Sequence, residues 1–471
     1  MKKHTLIFVL GLLYSISARA QVFTKDTIFY NGPSDKYINF VVLGDGYDSS
    51  ELSKFHDDVM LLRDSFFNKA PFSLYQNYFN IFSINVISPE SGIKHPRTAS
   101  DCPSLATLPI SDPNNYFGTA FDVSGVHRLI YPNDFALIGS VLIDNFPDYD
   151  QVIILGNSPE YGGAGGEVAS LSTHKLSVEI MLHECGHSFA GLADEYWAGD
   201  IYASEKKNMT YKTNAIPEHV KWKRWLDTAG VGIYHHSGTG SASDWYKPHT
   251  NCEMQFLERE FCAVCSQGII EKIHSLVNPI EEFLPANQIL DDIDTDLEFK
   301  ITKLIMPIPN TLKIEWQLDG HTIFADTNAI RVVADSISDK YHTVTAVVSD
   351  TTSLIRTELA NIKNINKVVW HINKDRVVSV KPVVVSTQYL VYPNPAAEVV
   401  NILNEGLNAQ DAYRIELYNT LGQIVHSQNC SQSQGHFDIS LSVISLPTGT
   451  YFVHVVTKNG TDKFKLSVVT D

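Results

Sequence analysis

Hydrophobic and polar positions follow different periods along the chain. In the N-terminal part, continuous apolar runs predict buried strands at 37–43, 78–87 and 151–155. Apolar residues three and four apart predict helices over 49–67 and about 176–190. A mixture of buried strands and amphipathic helices predicts an α+β domain, which we assign to residues 21–277.

From about residue 278 the period changes to strict alternation. Segments 312–318 and 342–348 read as half-buried strands, and Asp319-Gly320 predicts a hairpin turn between strands. The same pattern recurs near the C-terminus. We therefore predict two all-β sandwiches of immunoglobulin-like type, at 278–380 and 389–471, joined by a linker at 380–387; for the first of them a PKD-like sandwich is the alternative.

The first twenty residues have the layout of a secretory signal peptide. Lys2 and Lys3 precede an apolar stretch at 5–17, and Ala18-Arg19-Ala20 forms the cleavage site before Gln21. The apolar stretch is shorter than the roughly 20 residues that span a bilayer. No later segment has such a run, so we predict a mature chain without a transmembrane segment.

Composition narrows the class of partner. The 471 residues include 36 Lys and Arg against 53 Asp and Glu, a formal charge of −17. A nucleic-acid ligand is unfavourable, because phosphate backbones require a basic surface. With 44% hydrophobic residues, the chain can build several buried cores.

Three of the six cysteines, Cys252, Cys262 and Cys265, cluster in the sequence. With one more ligand they could hold a structural zinc ion. Export favours one or more disulfides instead, and Cys102 is then a distant candidate partner for the odd cysteine.

The chemistry is concentrated on the second predicted helix. His183-Glu184-Cys185-Gly186-His187 is an HExxH motif, and residues four apart share one helix face. His183 and His187 can therefore bind one catalytic zinc ion. Glu184 would take a proton from the water that the metal activates and deliver it to the leaving amine. Cys185 faces away and is assigned to the core.

A third zinc ligand is expected shortly after the helix. Gly191 is suited to end the helix in a left-handed turn, which folds the following residues back towards the metal. Asp194 is the first choice and Glu195 the second; alternatively, the pair orients the histidines through hydrogen bonds. The remaining alternatives are the distant residues His235, His236 and His249.

Substrate contacts are less well defined by the sequence. The glycine-rich segment 161–166, with Gly162 and Gly163, could allow close approach of a peptide backbone, or could be a simple connection. Tyr234 and Tyr246 are candidate donors to the oxyanion, or packing residues.

Several segments together resemble the IgA-peptidase (M64) family of zinc metallopeptidases, which is placed near the metzincins. The main one is HECGHSFAGLADEY at 183–196. The others are GDGY at 44–47, SPESG at 88–92, YGGAGG at 161–166, NMT at 208–210, VKW at 220–222, NCEM at 251–254 and FCAVC at 261–265. The resemblance implies a zincin/metzincin-like fold, zinc ligation by His183 and His187, Glu184 as base, and a Met-turn at Met254.

One departure from the metzincin pattern is visible. Metzincins usually have glycine three residues after the second histidine and the third ligand three beyond that glycine. Here Gly191 and Asp194 each come one residue later.

The C-terminal module resembles the sorting domain of the Bacteroidetes type IX secretion system. The matching segments are YPNPA at 392–396, YNTLG at 418–422, LPTGTY at 446–451 and KFK at 463–465. The resemblance implies export through periplasm and outer membrane by that machinery, followed by release or attachment to the cell surface. A carbohydrate-binding sandwich is the alternative.

These observations predict a secreted zinc-dependent endopeptidase that acts on extracellular or host proteins. Two alternatives stay open: an inactive adhesin or glycan-binding protein on a peptidase scaffold, and a zinc aminopeptidase.

Overall fold

The computed structural model describes residues 22–166, 168–291, 295–338, 341–356, 365–374, 389–404, 413–420, 422–430, 437–457 and 460–469. The predicted signal peptide and the linker at 380–387 lie outside these residues. Within them, no helix is both long enough and apolar enough to cross a membrane. The chain divides into two compact units, Met1–Arg376 and Val377–Asp471.

The N-terminal domain mixes helices and strands, and the predicted strands and helices correspond to β2, β3, β4, α1 and α3. In chain order its elements are β1 (Lys25–Phe29), β2 (Ile38–Asp45), α1 (Leu52–Phe66), β3 (Phe79–Ile84), α2 (Phe135–Asn145), β4 (Gln151–Gly156), β5 (Gly163–Ala164), β6 (Ala169–Ser172), α3 (Ser177–Ser188), β7 (Thr210–Tyr211), β8 (Tyr234–His235), β9 (Trp245–Lys247) and α4 (Ala263–Leu276).

A six-stranded sheet forms the centre of this domain, in the order β1-β3-β2-β4-β6-β5. All eight residues of β2 are buried, which explains its continuous apolar sequence. Strands β3, β2, β4 and β6 run parallel, while β1 and β5 pair antiparallel at the two edges. Helices α1, α3 and α4 share one hydrophobic core, and α2 packs in a separate one.

The middle domain is an all-β sandwich of two sheets, β10-β12-β15 and β11-β17-β16-β13-β14. Its strands are β10 (Ile280–Leu284), β11 (Ile289–Asp291), β12 (Leu297–Leu304), β13 (Leu312–Leu318), β14 (His321–Ala325), β15 (Ala329–Val332), β16 (Tyr341–Asp350) and β17 (Ile365–Asn373). Trp316 and Trp370 stack in its core with ring centroids 5.8 Å apart. The predicted hairpin is present between β13 and β14, where Asp319 and Gly320 both have positive φ.

A buried polar cluster joins the middle domain to the N-terminal one. Asp350, at the end of β16, accepts hydrogen bonds from the Tyr75 hydroxyl at 2.7 Å and from His274 Nε2 of α4 at 2.9 Å. The side chains of His274 and Asp350 are almost wholly excluded from solvent. The two domains therefore share a desolvated ionisable contact.

The C-terminal unit is also a two-sheet structure, with orders β18-β19-β22 and β21-β20-β23-β24. Its strands are β18 (Tyr389–Tyr392), β19 (Val399–Asn404), β20 (Tyr413–Asn419), β21 (Ile424–Cys430), β22 (Phe437–Ser442), β23 (Gly449–Thr457) and β24 (Gly460–Val468). Alternate residues of the strands, such as Ile415, Leu417, Val453 and Val455, form its core.

Candidate active site

Helix α3 holds the HExxH residues at the edge of the core. Ile180, Met181 and Cys185 are buried in the domain, and Cys185 has no solvent exposure, as the sequence predicts. The helix packs against β6 and α1. This anchoring fixes the orientation of the face that carries His183, Glu184 and His187.

The two histidines and Asp194 bring their donor atoms together. His183 Nε2 and His187 Nε2 lie 3.2 Å apart, and Asp194 Oδ1 is 3.1 Å from the first and 3.2 Å from the second. These three atoms form one of the side-chain groups that could hold a metal ion. Asp194, the first choice from the sequence, is therefore the acidic residue that meets the histidines.

Backbone carbonyls fix the tautomer of both rings. His183 Nδ1 donates to the Glu253 carbonyl and His187 Nδ1 donates to the Leu192 carbonyl, each at 2.9 Å. A carbonyl only accepts, so the proton of each neutral ring is on Nδ1 and the lone pair is on Nε2. Two imidazole nitrogens and one carboxylate oxygen are the donor set of a three-ligand zinc site, so the residues present fit that ion.

Electrostatics in this cluster favour a bound cation. Burial lowers the pKa of His183, but the hydrogen bond to Asp194 and the nearby carboxylates outweigh it and raise the pKa to about 9. Burial raises the pKa of Asp194, yet the hydrogen bonds to both histidines hold it below its ordinary value. Without a metal the cluster thus retains a proton, which a divalent cation would displace.

A cavity of about 240 Å³ opens beside the cluster. It is lined by Arg128, Tyr161, Gly163, Ile180, His183, Glu184, Tyr196, Gln255 and Leu257. Burial raises the pKa of Glu184. A Cβ at Gly165 would overlap the Glu184 carboxylate, so a glycine is needed where the loop passes this side chain.

Gly162 and Gly163 both lie in tight surroundings. A Cβ at Gly162 would come within 2.7 Å of Ile130, and one at Gly163 would overlap Ile180. Gly163 belongs to edge strand β5 and lines the cavity, whereas Gly162 is not among the lining residues. The glycine-rich segment is therefore closely packed along the cavity wall.

The two tyrosines singled out in the sequence lie elsewhere. The Tyr234 hydroxyl donates to the Gly230 carbonyl at 3.3 Å, and the Tyr246 ring packs on His235 with centroids 4.2 Å apart. Both belong to the small sheet β7-β9-β8 and neither lines the cavity. Sequence reasoning missed Tyr196, which lines the cavity and interacts with Asp194, although it directly follows the Asp-Glu pair.

The other acidic and histidine alternatives do not join the metal cluster. Glu195 is fully buried, and its carboxylate lies among cysteines. His235, His236 and His249 are not among the residues whose donor atoms converge with those of α3.

Met254 lies directly beneath helix α3. It has no solvent exposure, and a Cβ at Gly186 would overlap its sulfur. Its backbone carbonyl accepts the Glu195 N–H at 2.7 Å. The chain around Met254 thus contacts the helix and the segment that follows it.

The expected disulfides are not formed among the described cysteines. Cys102, Cys185, Cys252, Cys262 and Cys265 are all free thiols. Cys252, Cys262 and Cys265 do meet in space, together with Glu195. Cys102 lies instead beside Asp122, its Sγ 3.3 Å from Oδ1.

Comparison with protein families identifies the N-terminal domain. Residues 27–233 match the family described as IgA Peptidase M64. The N-terminal domain is therefore similar to the peptidase M64 family over this segment. This match is to a family of peptidases. It includes the HExxH helix and Asp194, and it ends before Met254 and the cysteine cluster.

The C-terminal unit matches a second family. Residues 390–469 match the secretion system C-terminal sorting domain. This domain indicates export by the type IX route, so the protein is secreted or attached to the cell surface.

Similarity to individual proteins is weak. No curated protein matches the chain. Latent dimeric PorU from Porphyromonas gingivalis is 14% identical over 40% of this chain and 20% of its own, with a TM-score of 0.19. The β-glucuronidase of Parabacteroides merdae is 10% identical over 48% and 28%, with a TM-score of 0.15. The chain spans only a fifth and about a quarter of those structures, and such low scores support no conclusion about function.

Proposed function

We propose that this protein is a secreted zinc-dependent endopeptidase that hydrolyses internal peptide bonds of extracellular or host proteins. The convergence of His183 Nε2, His187 Nε2 and Asp194 Oδ1, at 3.1–3.2 Å from one another, carries the proposal. One catalytic zinc ion would be held by these three side chains. When bound, zinc supplies a Lewis acid that polarises the scissile carbonyl and acidifies water.

Glu184 is the catalytic base in this proposal. Its carboxylate lines the cavity next to His183 and lies against the glycine-rich loop at Gly165. It accepts a proton from the attacking water while the water oxygen bonds to the carbonyl carbon. It then gives this proton to the leaving amine as the C–N bond breaks.

Tyr196 and Arg128 are the residues that we assign to charge stabilisation. Both line the cavity, and Tyr196 interacts with Asp194 next to the reacting groups. The Tyr196 hydroxyl can donate to the oxygen that becomes negative in the tetrahedral intermediate. Arg128 adds positive charge to the same wall. Tyr196 thereby takes the role for which Tyr234 and Tyr246 are the candidates from the sequence.

Strand β5 is the proposed docking edge for the substrate backbone. It is the last strand of its sheet and lines the cavity through Gly163. An extended peptide can add to such an edge through main-chain hydrogen bonds. The Gly163 N–H already donates to the Arg128 carbonyl at 2.9 Å, so pairing would involve the chain beyond Gly163.

Two features of the fold support a finer classification of its domains. We propose a metzincin-like catalytic domain with Met254 as the Met-turn residue, because its sulfur packs against Gly186 within the HExxH motif. We propose that both all-β modules are immunoglobulin-like sandwiches, with limits at 278–380 and 389–471. Two packed sheets in each support this assignment.

The two rival functions are less well supported. An aminopeptidase needs a free carboxylate to bind the substrate amine, but Asp194 faces the histidines and Glu195 has no solvent exposure. An inactive adhesin would not require the complete set of metal donors and the catalytic glutamate.

The test compares the full chain with Glu184→Gln and with the exposed control Glu218→Gln. Substrates are casein and an N-terminally blocked peptide, and zinc content is measured for each protein. We expect Glu184→Gln to retain zinc and to lose at least about a hundredfold in kcat. We expect Glu218→Gln to match the wild type.

Equal cleavage by wild type and Glu184→Gln would refute the peptidase. Failure to cleave the blocked peptide, with activity on its unblocked form, would favour an aminopeptidase.

A further inference from the structure

The segment between β3 and α2 is long and irregular. Residues 85–134 contain one short 3₁₀ turn, Val123–Gly125, and a few isolated bridges such as Lys94 with Ala120. Ordered loops of this length are uncommon unless something holds them together. Its own hydrophobic cluster is small, consisting of Ile93, Phe121 and Ile130.

Four metal-ligating side chains meet inside this segment. His95 Nε2 lies 3.2 Å from His127 Nδ1, which lies 2.8 Å from Asp122 Oδ1. Cys102 Sγ is 3.3 Å from the same Asp122 oxygen. All four donor atoms lie within 4.8 Å of one another, and His95, Asp122 and His127 are buried.

Surrounding groups satisfy the outward-facing atoms of two ligands. His95 Nδ1 contacts the Pro109 carbonyl at 3.2 Å, so it carries the ring proton and Nε2 has the lone pair. Asp122 Oδ2 accepts the Thr98 N–H at 2.7 Å. Two acceptors, His95 Nε2 and Asp122 Oδ1, therefore face His127 Nδ1, and one ring proton cannot serve both.

His127 is oriented as a metal ligand through Nδ1. Its buried Nε2 has no hydrogen-bond partner among the described residues and lies 3.7 Å from Glu160 Oε1. With Nδ1 bound to a cation, the ring proton is on Nε2 and faces this carboxylate. A carboxylate behind a ligating histidine is the usual support for its tautomer.

We propose that His95, Cys102, Asp122 and His127 bind a structural zinc ion, separate from the catalytic one. Two imidazoles, one thiolate and one carboxylate form a closed set of four ligands. Bonds of about 2.0 to 2.3 Å in a tetrahedron separate the donor atoms by roughly 3.3–3.8 Å. The observed separations of 2.8, 3.2 and 3.3 Å need only a small expansion.

The site would support one wall of the catalytic cavity. Arg128 directly follows His127 and lines that cavity, and its carbonyl accepts the Gly163 N–H of β5. A metal bound to His127 therefore holds both the arginine and the strand beside it. The site does not depend on the proposed peptidase activity.

The decisive measurement is the zinc content of the purified full chain after dialysis, for wild type and single variants. We expect Cys102→Ala and His127→Gln each to lose one equivalent and to keep the equivalent that His187→Ala loses. The matched control is His56→Gln, a half-exposed histidine on α1. Limited proteolysis should cut within 94–131 in both site variants, and in wild type only after chelation.

Two results would overturn this site. One is a wild type whose entire zinc content is lost in His187→Ala. The other is retention of the wild-type number of zinc equivalents by both Cys102→Ala and His127→Gln. Cobalt substitution gives a spectroscopic check, because the thiolate-to-cobalt charge-transfer absorption of the folded wild type should be reduced in Cys102→Ala, which lacks one thiolate ligand.

A second group of donors lies beneath the catalytic centre. Cys265 Sγ and Cys262 Sγ are 3.1 and 3.7 Å from Glu195 Oε1, and Cys252 Sγ accepts the Cys262 N–H at 3.2 Å. All four residues are buried. Glu195 Oε2 has no hydrogen-bond partner in the described part of the chain.

Lys247 is the cation next to this cluster and interacts electrostatically with Glu195 and Cys252. Lys247 donates to the Glu195 backbone carbonyl and to the Gln255 side chain rather than to the Glu195 carboxylate. Cys262 and Cys265 lie at the start of α4 with two residues between them, a spacing that lets both sulfurs bind one ion. A buried carboxyl oxygen without a partner is costly, and a cation bound between Glu195 and the three sulfurs would satisfy it.

We infer that Glu195, Cys252, Cys262 and Cys265 bind a further structural zinc ion. Glu195 follows Asp194, and Cys252 is two residues before Met254, so the ion would join the segments that form the floor of the catalytic centre. Glu195→Gln should lose one zinc equivalent that Cys102→Ala and His187→Ala each retain. The intact mass of the denatured, unreduced chain should show these thiols unpaired.

A chain lighter by two hydrogens, with the lost mass mapped to a disulfide among Cys252, Cys262 and Cys265, would refute this second ion. A folded Glu195→Gln protein with the wild-type zinc content would also refute this ion.

Discussion

Replacing Asp350 by asparagine should strongly destabilise the chain. One carboxylate serves four donors: Oδ2 accepts from Tyr75 and His274, while Oδ1 accepts from the Thr311 hydroxyl at 2.6 Å and the Thr352 N–H at 2.9 Å. Asparagine has a single acceptor oxygen. If that oxygen keeps the threonine contacts, its NH₂ group faces His274 and Tyr75.

The size of the expected loss in the free energy of unfolding follows from these contacts. A hydrogen bond to a charged group contributes about 1.5–3 kcal/mol, and removing one partner of a buried ion pair costs about 3–5 kcal/mol. Both side chains of the His274–Asp350 pair are almost completely buried, so solvent screening gives little relief. We expect Asp350→Asn to lower the free energy of unfolding by about 3–5 kcal/mol.

The pH dependence of this contribution has a definite sign. Burial raises the pKa of Asp350, but hydrogen bonds from His274, Thr311 and Tyr75 outweigh it and hold the pKa below its usual value. In the unfolded chain the pKa is about 3.9. The stabilisation is therefore fully present above about pH 4 and is lost as pH falls through the lower folded pKa, so the difference between wild type and variant narrows there.

Urea unfolding of the full chain, followed by tryptophan fluorescence and circular dichroism, measures this effect. Trp316 and Trp370 report on the middle domain. The control is Asp326→Asn, which removes an exposed ion pair with Lys313 in the same domain. We expect no measurable shift of its midpoint. Equal midpoints for Asp350→Asn and Asp326→Asn would show that the buried pair does not stabilise the two-domain contact.

Three further predictions concern the catalytic centre. Asp194→Asn should lose the catalytic zinc equivalent by metal analysis, because it removes the anionic ligand; retention would refute its role. Gly186→Ala should lower the free energy of unfolding by about 1–3 kcal/mol, because the added Cβ overlaps Met254; adding Met254→Ala should recover part of this loss. Tyr196→Phe should reduce kcat about a hundredfold with little change in KM, while Tyr246→Phe should match the wild type in the same peptide assay.

Regular patterns made much of the fold predictable from sequence. The apolar runs that became β2, β3 and β4 are buried on both faces of the sheet, so their sequences contain little else. Helix α1 repeats buried residues every three or four positions. The Asp319-Gly320 turn was predictable because few other pairs favour positive φ at both positions.

The HExxH spacing likewise brings His183 and His187 together through helix geometry alone. Long-range contacts are different. His95, Cys102, Asp122 and His127 have no regular spacing, and the loop that joins them has no period. Tyr196 lines the cavity and Tyr246 does not. This difference depends on the tertiary packing of the irregular segments that follow α3. Such arrangements follow from tertiary packing, which no local pattern encodes.

The shifted spacing after the second histidine has a structural explanation. In a Schellman turn, the N–H after the C′ glycine bonds to the carbonyl five residues earlier. Here Gly191 has positive φ, but the Leu192 N–H donates to the Gly186 carbonyl, six residues earlier, at 2.9 Å. The Ala190 N–H also donates to Cys185 across five residues, at 3.2 Å. The turn at the end of α3 therefore contains one residue more than a Schellman turn. This extra residue allows Asp194 to reach both histidines although it comes one position later than the usual third ligand.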